Sequence, residues 1–134
     1  MSDYNSGFTG DRVVELLNMI PNLAKADLSN AMTVSLGKNG YYAKFNNGFL
    51  IQWGYISSSS NNTYVYLPLS FYNANYAPVI TYYEPGNGMN VVAGLVISTG
   101  TSSFRVRSRY TVGDSNGTGA GTNPFYWIAV GSWK

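Results

Sequence analysis

The chain has 134 residues, the size of one domain, of which only 10% are charged and 16% aromatic, twelve of them tyrosine. It contains no cysteine and no histidine, which excludes disulfides, thiolate or imidazole metal sites, Cys nucleophiles and histidine-based triads. Residues 1–36 carry two basic and four acidic side chains and residues 37–134 six basic and two acidic, so two unlike segments are expected, a connector followed by a domain.

In the first segment, Val13, Leu16, Leu17 and Ile20 fall at helical spacing, Thr9 or Asp11 can cap, and Pro21 ends the run. A helix of about ten residues with one apolar stripe is not stable alone in water. Residues 1–36 therefore read as a helical stalk or connector that packs on a body, on copies of itself, or on more chain lying upstream in a longer parent. No run approaches the roughly 18 apolar residues of a membrane span, and the first residues are not a signal peptide. Synthesis in the cytoplasm without membrane insertion is expected.

From Tyr41 the period changes to two. "YYAKF", a turn at 46–48 and "FLIQWGYIS" predict a hairpin. Residues 57–62 are a polar loop, and "TYVYLPLSF" is a strand whose end Pro68 places at an edge or bulge. "APVITYYE" runs into the turn "PGNG", "MNVVAGLVIS" and "SSFRVRSRYTV" form a pair, "GDSNGTGAGTNP" is a long loop, and "FYWIAVGSWK" is the last strand. The expected fold is all-β: an antiparallel β-sandwich of about seven strands over 37–134, preceded by a short amphipathic helix.

Several strands are apolar on both sides. Phe49, Ile51, Trp53 and Tyr55 alternate with Leu50 and Gln52, while Phe125, Trp127 and Ala129 alternate with Tyr126, Ile128 and Val130. One set fills the core, and leaving the other wet forgoes about 1.5–3 kcal/mol per large side chain. Burial within a larger sheet is one solution; association with further copies is the one the small core favours. Gln52 would then set register by hydrogen bonding within an apolar interface.

"FRVRSRY" places Arg105, Arg107 and Arg109 on one face, about 6.8 Å apart, and Phe104, Val106, Ser108 and Tyr110 on the other. Either anions meet the guanidiniums or the face is simply solvated, with arginine stems covering neighbouring rings. Catalysis by paired carboxylates would have to use Glu84 and Asp114. The glycine-rich run after Val112 is neither a calcium loop nor a phosphate loop, so no cofactor or metal is implied. The modest charge, with no lysine-rich arm, does not indicate nucleic acid.

"NNGFLIQWG", "YLPLSFYNANYAPVI", "SSFRVRSRY" and "FYWIAVGSWK", in that order, resemble the C-terminal tip domain of bacteriophage tail-fibre proteins, over about residues 40–134. The family's motif positions fall on Gln52, Trp53, Gly54, Asn73, Ala74, Trp127, Ile128 and Gly131; Tyr-Leu-Pro-Leu stands where a Phe-Pro pair is usual. The resemblance implies a non-enzymatic homotrimer at the end of a virion tail fibre, binding a glycan or surface protein of the bacterial host. It makes Leu50, Gln52, Ile128 and Val130 trimer-interface candidates. It also leaves residues 1–36 to reach one another or other tail proteins. Receptor contacts vary between family members and are not carried over; the candidates read from this sequence itself are Tyr82 and Tyr83 beside the "PGNG" turn, Arg105, Arg107, Arg109, Tyr110 and the loop residue Asn116. The competing readings are a surface-polysaccharide depolymerase and a purely structural virion or baseplate protein.

Overall fold

The alternating segments form strands that pair without exception in antiparallel ladders. The computed structural model describes residues 9–24, 31–38, 40–84, 86, 90–112 and 117–134. In chain order its elements are α1 (Gly10–Ala24), β1 (Met32–Gly37), β2 (Gly40–Phe45), β3 (Phe49–Ile56), β4 (Thr63–Tyr66), β5 (Ala77–Tyr82), β6 (Asn90–Thr99), β7 (Ser103–Val112), β8 (Thr118–Ala120) and β9 (Phe125–Ser132). One sheet has the order β1-β2-β3-β9-β5 and the other β4-β7-β6. β4 and β8 lie end to end along one edge of β7, because β6 occupies its other edge throughout.

Three elements depart from the sequence reading. Met32–Gly37, mostly inside the expected connector, pairs with β2 as an edge strand, where the alternating "MTVSLG" fits a pleated surface better than a helix. β8 forms inside the glycine-rich segment expected to be loop. Pro21 does not stop α1, which continues to Ala24; a proline in a helix forgoes one backbone hydrogen bond but need not end it. Thr9 caps α1 as expected, its Oγ1 accepting from Arg12 N at 3.3 Å. The expected turn at "PGNG" lies, apart from Gly86, outside the described residues.

The hairpin at 46–48 forms as expected. Gly48 takes a φ of 106°, open to glycine at no steric cost, and its N–H donates to Phe45 O. Between the sheets, Leu50, Phe125, Trp127 and Ala129 meet Val65, Phe104 and Val106, all buried. Trp127 and Phe104 cross edge-to-face at 5.8 Å. Gln52 is equally buried, and it is satisfied: Nε2 donates to Leu69 O at 2.9 Å and Leu69 N donates to Oε1 at 2.8 Å. That exchange anchors residues 67–76, which cross from one sheet to the other. Phe71 N on the same segment donates to Thr101 O, and Tyr72 N to Ser132 O.

The register corrects the proposed interface set. Gln52 pairs with Ala129 and Ile51 with Val130, so Leu50 and Gln52 share the inner face, while Ile128 and Val130 are on the outer one. The four are not one surface. Leu50 and Gln52 are sealed within a single chain.

Candidate functional site

Two outer faces remain, and they differ in chemistry. On the four-stranded sheet, alternation along β7 turns Arg105, Arg107 and Arg109 outward, as expected, while Phe104, Val106 and Ser108 are buried. The sheet order brings Tyr64 of β4 beside Arg105 and Leu95 of β6 beside Arg107. Loop 57–62 and Gly121, just after β8, close the edge, with Ser108 N donating to Ser60 O and Gly121 N to Ser108 O.

Together these elements form an open trough of about 660 Å³, lined by Asn61, Asn62, Leu95 and the three arginines. Asn62 Oδ1 accepts from Arg105 Nε at 2.7 Å, and Asn61 Oδ1 accepts from Arg109 Nη1 at 3.3 Å. Arg105 also lies over the Tyr64 ring at 5.2 Å, and Tyr64 stacks with Tyr66 at 6.0 Å. The two outer arginines are thus held by neutral acceptors. Among the described residues the ion pair is Arg12–Glu15, far along the chain in α1, and no carboxylate meets the arginine row. A guanidinium whose anchors carry no charge keeps its full positive charge and its spare N–H donors for something else.

The other proposed contact residues do not join this trough. Tyr82 lies on the inner side of its sheet, 5.5 Å from Phe125, with its hydroxyl buried. Tyr110 falls on the opposite side of β7 from the arginines, its ring against Gly119. Tyr83 is exposed but belongs to the other sheet's surroundings, 6.3 Å from Tyr126. Asn116 and Asp114 lie outside the described residues. Glu84, the first half of the carboxylate pair, accepts from Gly86 N at 3.1 Å and from Asn123 Nδ2. The residues missed by sequence reading are Asn61, Asn62, Tyr64, Tyr66 and Leu95. Asn61 to Tyr66 form one local stretch, but its meeting with β7, and that of Leu95 on β6, depends on sheet order.

The outer face of the five-stranded sheet is the second apolar side. Its strands turn out Val34 and Leu36 from β1, Tyr41 from β2, Ile51 and Trp53 from β3, and their counterparts on β9 and β5, none of them charged. Leu36 is 69% exposed, Val79 57%, Tyr126 54% and Ile128 38%. A hollow of about 380 Å³ lies among Trp53, Val79, Tyr126 and Ile128. The stripe of α1 is also open, with Leu17 57% exposed. An exposed apolar surface of this kind is a candidate for burial against a partner.

No group of three or more acidic side chains able to hold a metal occurs among the described residues, and no described helix is long and apolar enough to cross a membrane. A family model described as tail fiber protein gp53-like, C-terminal, matches residues 44–132. A solved structure of the R2 pyocin fibre of P. aeruginosa, its C-terminal region, superposes with a TM-score of 0.56 at 16% identity, over 75% of this chain and 25% of the fibre chain. At that identity the likeness is one of fold. No curated protein matches.

Proposed function

The chain belongs to the gp53-like C-terminal tail fibre family, and from that premise we propose that it is the homotrimeric tip of a fibre that attaches a phage, or a phage-derived particle, to its bacterial host. A phage-type tail fibre protein is a component of the virion tail. In the proposed assembly, three copies turn the uncharged outer faces of their five-stranded sheets toward one another. Helix α1 belongs to the stalk above the tip, where three apolar stripes cover each other or meet other tail proteins. The four-stranded sheets then face outward and present the arginine trough to a receptor, a glycan of the host surface, without covalent chemistry.

The observation that carries this reading is the contrast between the two outer faces of one sandwich. One lacks charge and is open in the single chain; the other holds three guanidiniums with no described carboxylate beside them. Three receptor sites per fibre raise avidity by orders of magnitude over a single weak site.

The test is binding of the fluorescently labelled protein to a panel of bacterial strains, before and after periodate oxidation of surface sugars. Binding to a subset of strains, abolished by periodate, is the expected result. Binding that survives periodate but not protease moves the receptor to a surface protein. No binding to any strain leaves a structural virion protein.

A further inference from the structure

Resting on the receptor-binding reading above, we infer that the trough on the four-stranded sheet is a subsite for an acidic polysaccharide: its carboxylate or phosphate groups sit on the arginine row and a sugar ring lies on the Tyr64–Tyr66 pair. The geometry separates three tasks. Asn62 and Asn61 hold Arg105 and Arg109 by one N–H each, which fixes both forks while leaving most of their donors outward. Arg107, between them, has no hydrogen-bond or ion-pair partner among the described residues and is exposed. Successive positions stand about 6.8 Å apart on a strand, so the row can be spanned by a ligand carrying charge at intervals, or by one anion bridging two forks.

A planar fork suits carboxylate and phosphate oxygens in pairs, which a lysine ammonium cannot match. No acidic side chain among the described residues lines the trough, which has a cost when it is empty, because three like charges repel in one another's company. An anion relieves that repulsion, and a neutral glycan does not. Tyr64 and Tyr66 stack with a 16° angle between their planes and are 46% and 75% exposed. They put exposed aromatic surface, most of it on Tyr66, at the end of the row where Arg105 crosses Tyr64. Leu95, 60% exposed, supplies an apolar wall. Alternating charge capture and ring stacking fits a chain of acidic sugars. A single-stranded nucleic acid could also stack and pair with arginines, but the row is short and the trough has no lysine to extend it.

The experiment measures binding of the purified chain by biolayer interferometry to immobilised polygalacturonate, a phosphodiester-linked teichoic acid, neutral dextran and a single-stranded oligonucleotide. The expected result is binding to at least one of the two acidic glycans and none to dextran. Arg107→Gln should weaken it by about tenfold, the size of one lost charged hydrogen bond. Arg107→Lys should recover only part of that loss. Raising salt to about 1 M, where charges are screened beyond about 3 Å, should weaken it further. Which acidic glycan binds tells carboxylate from phosphate.

Dextran bound as tightly as the acidic glycans, oligonucleotide bound more tightly than either, no acidic glycan bound, or an unchanged affinity in Arg107→Gln would each overturn the inference. An Arg105→Gln/Arg107→Gln/Arg109→Gln variant that melts like wild type yet still adsorbs to cells would overturn it while leaving the receptor-binding reading intact. Wild-type protein that adsorbs to no strain defeats that reading instead.

Discussion

Gln52 is where a polar residue in an apolar strand turns out to be a fastener. Its amide exchanges two hydrogen bonds with Leu69, and the segment it holds has no strand of its own. Gln52→Leu has nearly the same volume but leaves both backbone groups of Leu69 without a partner. The expected loss is about 2–6 kcal/mol, at about 1–3 for each stranded buried group, read as a lower urea midpoint at unchanged m-value. Tyr76 is a second such fastener. It stacks on Phe71 at 4.2 Å and donates to Gly100 O and Ser103 O, each at 3.0 Å. Burial pushes its phenol from 10.0 up to about 12. The folded state therefore holds this proton more tightly than the unfolded chain does. Its contribution is complete below about pH 10 and fades between about pH 10 and 12, at up to about 1.4 kcal/mol per unit. Tyr76→Phe should be less stable than wild type at neutral pH, and the gap should narrow across that interval. Urea titrations of both proteins at about pH 9 and about pH 11.5 read it, since the other tyrosines are common to the two.

At the scale of elements, what a single strand's alternation decides was legible and what its neighbours decide was not. "FRVRSRY" alone specifies an arginine face opposite a core face, and the structure keeps it. The hairpin at 46–48 was equally local. Leu50, Gln52, Ile128 and Val130 could not be sorted the same way, because two apolar faces do not say which one a partner sheet will cover. Register decides it, with Gln52 opposite Ala129. Likewise Tyr64 comes beside Arg105, and Leu95 beside Arg107, through sheet order, and Asn61 reaches the trough from the loop before β4. β1 escaped notice because a helix-like stretch precedes it, and β8 because three residues with a central glycine carry almost no pattern. Gly131 in β9 shows the converse, a motif residue whose reason is tertiary. A Cβ there would lie 2.6 Å from Tyr76 Cβ and 2.9 Å from Phe71 Cδ1. Gly131→Ala should push the 67–76 segment off the end of β9 and cost about 1–3 kcal/mol, as overpacking does. A thermal melt of the variant checks it, and a melting temperature equal to wild type would mean that the segment yields freely.

For the whole molecule, the deciding question is what covers the uncharged face of the five-stranded sheet. Among the described residues nothing covers that face, and the four-stranded sheet already covers the other side. Three copies meeting there would bury Val79, Tyr126 and Ile128 at about 1.5–3 kcal/mol for each side chain fully removed from water. They would also leave the arginine faces pointing away from the axis, where like charges are farthest apart. A pair of lysine substitutions on opposite sides of the sheet separates assembly from folding. Ile128→Lys adds a charge to the outer face without touching the core, so the chain should keep its circular dichroism spectrum while the assembly falls apart. Leu50→Lys puts the same charge among Phe125, Ala129 and their neighbours, and should unfold the chain itself, because an unpaired buried ammonium has nothing to compensate it. Light scattering on wild type should give three times the 14.6 kDa chain mass, and on Ile128→Lys the chain mass alone. If wild type runs as a folded monomer at micromolar concentration, the outer face is not an axis, and the avidity of a threefold tip goes with it.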